Sequence, residues 1–207
     1  MPSYNGTLAP YAQAPYSYPQ AYSTEPVKSL RVPAGLAVAG LVLTLVFGLA
    51  LEIIGSPLVG EPVTAAAKGV ALAALVGYAV AFIYTIVTFM VWLHRASANL
   101  WKTGHGMKWR PSWTIGGWFI PIVNLVIPLM VIREVDRETR DHGPALFATW
   151  AVAWTLSAFL GRTTEATSTS LSALAGIALL ASGISAALLI RRVTADQEQQ
   201  FIQARPY

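Results

Sequence analysis

The chain has 207 residues, 55% of them apolar and only 12% charged, with a mean hydropathy of +0.52. A water-soluble domain carries roughly 25% charged residues, so this composition points to the membrane class and away from a solvent-facing fold. The absence of Cys excludes a disulfide framework, a thiolate metal site, a haem-attachment motif and a Cys-linked lipid anchor.

Residues 1–32 read as a Tyr/Pro-rich tail, with five Tyr and five Pro before Lys28 and no aliphatic periodicity. Such a stretch cannot bury enough apolar surface to offset its ordering entropy, so it is expected to be disordered and cytoplasmic. Its sharper reading is a docking strip for a cytoplasmic protein that recognises Pro. No basic segment leads into an apolar run near Met1, so the first span is expected to act as its own insertion signal.

A membrane domain follows over 33–192, with spans at about 34–54, 69–93, 145–161 and 171–190. Each approaches the roughly 20 residues that a bilayer requires. Gly40, Thr44 and Gly48 in the first span, and Ala73, Gly77, Ala81 and Thr85 in the second, recur every four residues. That spacing flattens one face of a helix and favours close packing, within the chain more readily than between chains. A polar cytoplasmic tail is expected over 193–207, after Arg191 and Arg192 stop the last span.

From Trp92, at the end of the second span, to Glu134 lie five of the seven Trp residues, a basic connector with Arg95, Lys102, Lys108 and Arg110, and the apolar strip 112–132. Gly116, Gly117, Pro121 and Pro128 break that strip, because Pro lacks an amide donor and Gly weakens a helix. If 112–132 turns back, all the Lys and Arg except Lys68 and Arg162 fall on one side; if it crosses, the split is seven against seven. The positive-inside bias favours the turn, a re-entrant or interfacial segment with both termini cytoplasmic. The expected fold is therefore all-α and integral to the membrane, four transmembrane helices plus that Pro-broken segment. Glu134–Arg137 and Asp136–Arg140 are spaced as neighbours on a solvated helix.

Polar candidates cluster around this strip: Arg95 and Asn99 four apart on one helix, Asn124 near the break, and Arg133 and Glu134 at its end. Arg95 and Glu134 are expected to pair. Trp92, Trp101, Trp109, Trp113 and Trp118 read as interfacial anchors. His94, His105 and His142 have no ligand spacing, no phosphate loop is present, and no base adjoins a Ser or Thr in the spans, so neither metal, cofactor nor enzymatic activity is expected. The spans lack ionisable residues between their ends, which argues against a coupled pump. The leading expectation is a module binding a partner protein or anionic lipid through its cytoplasmic face. A passive channel or carrier for a small solute near Asn124 is the alternative. Nucleic-acid binding is not needed to explain the basic charge, and the sequence leaves the oligomeric state open.

The segment WLHRASANL, a basic spacer, and PSWTIGGWFIPIVNLVIPLMVIREV closely resemble the core of a bacterial membrane family, domain of unknown function 4328. The resemblance is carried by Trp92, Arg95, Ala96, Asn99 and Leu100, then by Trp113, Gly117, Trp118, Phe119, Pro121, Asn124, Leu125, Pro128, Arg133 and Glu134. Ser112 stands where the family pattern has Gly. The resemblance covers about residues 70–195. It implies a multi-pass helical fold in a bacterial plasma membrane and carries no activity.

Overall fold

The computed structural model describes residues 26–55, 64–120, 126–141, 143–163 and 169–203. Among these, the chain forms six helices: α1 (Arg31–Gly55), α2 (Ala65–Lys102), α3 (Trp113–Gly116), α4 (Ile127–Thr139), α5 (Ala145–Thr163) and α6 (Thr169–Gln203). Three of them contain stretches long and apolar enough to cross a membrane, Arg31–Leu51, Ala65–Lys102 and Ala173–Gln200; Ala145–Leu160 of α5 is a shorter apolar helix.

α1 and α2 are antiparallel, as their contacts require: Gly40 lies against Thr85 and Gly48 against Tyr78. The small-residue stripes serve this packing inside the chain. A Cβ added to Gly40 would stand 2.7 Å from Thr85 Oγ1 and 3.0 Å from Thr85 Cα, so only Gly permits the approach. Thr85 Oγ1 donates its single proton to Ala81 O at 2.8 Å. The bond to Thr44 Oγ1 at 2.9 Å must then be donated by Thr44. α6 packs antiparallel to α1, with Leu45 against Gly183 and Leu179 near Gly48. α5 packs chiefly on α6.

Each helix has a local reason for its limits. The Thr64 hydroxyl accepts from Ala67 N at 3.2 Å and caps α2. At the other end of α2, Gly104 adopts φ 76°, with Gly104 N donating to Trp101 O and His105 N to Leu100 O. These two bonds form the Schellman termination that favours Gly in the left-handed position. α4 starts beside Pro128, which sits in its first turn where a missing amide costs no hydrogen bond. Pro128 therefore begins a helix here and does not break one.

Large apolar side chains remain exposed along α1, α2, α5 and α6, among them Val46, Val80, Phe159 and Ile177. The buried core instead gathers at one end of the bundle, around Leu30, Trp92, Leu93, Leu100, Val131, Val135, Ile190 and Val193. The C-terminal ends of α2 and α6 build this end together with α4. The stretch 193–203, expected as a polar tail, is thus the last three turns of α6. Its pattern Ala186, Leu189, Ile190, Val193, Gln197 keeps one buried helical face running past Arg191 and Arg192.

A head built at one end of the bundle

Asn99 is 1% exposed and grips the chain just ahead of α1 from both sides. Its Oδ1 accepts from Lys28 N at 3.1 Å, and its Nδ2 donates to Lys28 O at 2.8 Å. Residues 28–30, expected within a disordered tail, are held here, and Leu30 is 1% exposed. Gln197 is fully buried and ties three helices: Nε2 donates to Thr139 Oγ1 at 2.9 Å and to Ala96 O at 3.3 Å. Gln200 Nε2 adds a bond to Thr139 O at 2.7 Å. Trp92 is fully buried, with its ring against Phe89 and its Nε1 donating to Thr194 Oγ1 at 3.0 Å. It is a core residue joining α2 to α6, a correction to its reading as an interfacial anchor.

The Glu134 carboxylate accepts from the backbone amides of Lys108 and Trp109 and so fixes the basic connector against α4. Trp101 Nε1 donates to Trp109 O at 2.8 Å, and Trp109 meets Trp113 edge-on at 5.6 Å. These aromatic residues brace the connector. The Trp118 Nε1 is buried with no partner among the described residues.

Arg95 does not pair with Glu134. It is exposed, without an ion pair among the described residues, beside a small apolar cleft formed by Val87, Met90, Val91 and Ile115. Although four residues apart, Arg95 and Asn99 part company: α2 turns about 40° over that interval, enough to place one outside and one inside. His94 Nδ1 lies 3.1 Å from Pro111 O and 3.2 Å from Thr114 Oγ1, fastening α3 to α2.

On α4 the expected ion pairs are replaced by others. Arg133 binds Asp136 at 2.7 Å and Asp141 at 3.3 Å, Arg137 binds Glu138 at 3.0 Å, and Arg140 reaches Asp196 on α6 at 3.5 Å. Asp136 and Glu134 are buried, so this helix is half-sunk in the head and is not a solvated extension. The Gly143 amide, with Arg133 beside it, holds the Asp141 carboxyl below the usual carboxylate range. Gly116 closes α3 and Gly117 caps it, a Cβ there meeting Trp113 O at 3.0 Å. Pro121 and Asn124 lie outside the described residues.

Among the described residues, no three His, Asp or Glu side chains converge in a way that could hold a metal ion. Sequence reading singled out Asn99 and Glu134 but missed Gln197, Thr194, Thr139 and Glu198. The signal that could have found them is the apolar periodicity of α6, which continues beyond the paired arginines.

Three long apolar helices, a shorter one and a polar network at one end of the bundle define a helical multi-pass membrane protein. The domain of unknown function DUF4328 matches residues 56–195, and the chain belongs to that family. The matched region takes in α2 to α5 and most of α6, including Asn99, Glu134 and Thr194. No curated protein and no solved structure matches the chain.

Proposed function

We propose that this protein is a non-enzymatic docking module of a bacterial plasma membrane, whose head recognises an anionic partner surface, protein or lipid, on the cytoplasmic side. The observation that carries this reading is where the order lies. The deepest burial and the inter-helix polar bonds of Asn99, Gln197 and Trp92 gather at one end of the bundle, Asn99 and Gln197 lying past the charge-free runs that end at Leu93 and Ile190. A chain serving only as an anchor needs no such construction there. The head presents exposed Arg95, Lys108, Arg110 and Arg137 on its outside.

In this reading α5 is a fourth crossing and both termini face the cytoplasm. α3 and α4 lie at the interface. Exposed Ile115, Phe119, Ile120, Val126 and Met130 suit immersion at headgroup depth, and α4 spans only about 20 Å, too short to cross.

Photo-crosslinking from position 110 in intact cells tests the proposal. A discrete adduct that disappears when Arg95 and Lys108 are changed to Glu is expected. Equal labelling from position 110 and from position 68, on the opposite side, would overturn it.

A further inference from the structure

A groove of about 680 Å³ runs between the start of α1 and the C-terminal part of α6. Arg31, Arg191 and Thr194 line its polar part, and Gly35, Val38 and Ala39 form an apolar wall. The antiparallel register, Leu30 beside Glu198 and Leu45 beside Gly183, sets Arg191 level with Ala37. Arg191 therefore stands roughly 9 Å deeper along α1 than Arg31.

The groove is open where a ligand would enter. Nothing lies within 4 Å of a Cβ built on Gly35. Arg191 is exposed and has no ion pair among the described residues. The Glu198 carboxylate, the acid at this groove, is already engaged by Ser29 Oγ, Leu30 N and Arg31 Nε. The amide of Leu30, just ahead of α1, is engaged by Glu198, and that of Arg31, the first of the helix, by Ser29 Oγ, so the helix end itself is not the attraction. The cationic side chains are. Among the described residues Arg31 is held by Glu198 through Nε at 3.4 Å, and its side chain is 70% exposed, so its terminal guanidinium nitrogens can donate. Beside the groove, Val32, Leu36 and Leu188 are exposed, as residues facing acyl chains would be.

We propose that this groove seats one anionic phospholipid, its phosphate between Arg31 and Arg191 and an acyl chain against Gly35, Val38 and Ala39. The charge pattern selects the occupant: two arginines at staggered depth match a phosphate at headgroup level, and the apolar wall below matches its chain. A zwitterionic headgroup would bring its own ammonium against the same arginines. This deepens the lipid branch of the proposed function and rests on it.

Native mass spectrometry of the full chain in mild detergent, with phosphatidylglycerol or phosphatidylcholine of identical chains added, tests the assignment. Retention of phosphatidylglycerol over phosphatidylcholine is expected. Arg191→Gln should cut that retention roughly tenfold, as losing a charge-assisted hydrogen bond does. Gly35→Leu should cut it with both charges intact. Arg192→Gln, one residue on but outside the groove, should leave it unchanged. Equal retention of the two lipids, or equal losses from R191Q and R192Q, would overturn the site in favour of diffuse attraction. Displacement by glycerol phosphate as effective as by lipid would reassign the groove to a soluble phosphate. Binding seen only after residues 1–25 are deleted would give it to the chain's own leader. Arg95 and Arg110 lie outside the groove, so equal retention of the two lipids by the unsubstituted chain, with the adduct from position 110 still formed, would sink the groove alone, whereas loss of that adduct would sink the docking reading.

Discussion

Asn99 does at residue scale what a helix cap does at a terminus: one amide satisfies both backbone groups of Lys28 in a buried setting. Asn99→Leu would leave those groups unpaired, at a cost of about 1–3 kcal/mol. The expected outcome is a lower thermal midpoint in detergent together with faster tryptic cleavage after Lys28; unchanged cleavage would contradict the grip. Asn99 was legible because it is polar beside a long apolar run, whereas Gln197 was not, lying within a stretch rich in polar residues. Asp141 provides the pH test. Its folded pKa is depressed, so its stabilising contribution is complete above the ordinary value of 3.8 and is lost as pH falls through the lower folded value. Because Gly143 is the larger cause, Arg133→Gln should raise the Asp141 midpoint only part of the way, as carboxyl NMR titration would register. The group is exposed, so its effect on overall stability is small.

The elements themselves follow from short-range rules that a sequence exposes well, and fail to follow where the rule depends on position. Gly40, Thr44 and Thr85 announced through spacing a face for close packing within the chain, and the structure pairs those faces of α1 and α2 with each other. Pro128 was misleading because Pro breaks a helix interior but suits a first turn, and nothing local says which applies. Arg191 and Arg192 likewise resembled a stop, yet α6 continues because Val193 and Gln197 have α2 and α4 to pack against. The glycine contrast makes this scale measurable. Gly40→Ala forces Thr85 backbone away and should destabilise by about 1–3 kcal/mol. Gly35→Ala meets nothing within 4 Å and should be neutral or stabilising by up to about 1 kcal/mol, from helix propensity alone. Thermal unfolding of both variants in one detergent checks the pair; equal losses would mean that α1 and α2 do not approach as closely as described.

For the molecule as a whole, apolar run length revealed the long helices and charge placement suggested how they are threaded, but neither could reveal the head. Its core is assembled from residues far apart in sequence, such as Ala96, Thr139 and Gln197, which only the folded arrangement brings together. That same assembly bears on topology. Thr139 and Arg140 at the end of α4 bond to Gln197 and Asp196 on α6, and Gln197 bonds to Ala96 near the end of α2. Three helix ends joined by direct hydrogen bonds cannot lie on opposite sides of a bilayer roughly 30 Å thick. The topology proposed above, with α2 and α4 ending on one side, keeps these three ends together. Because the chain contains no Cys, single introduced thiols report this cleanly. Lys28→Cys and Arg137→Cys, both at exposed positions, should be shielded from an impermeant maleimide in intact cells and react after permeabilisation. Lys68→Cys, at the far end of α2, should react without it. Labelling of Arg137→Cys and Lys28→Cys from opposite sides would break the head apart, since the Thr139–Gln197 and Lys28–Asn99 bonds could not then coexist in one molecule.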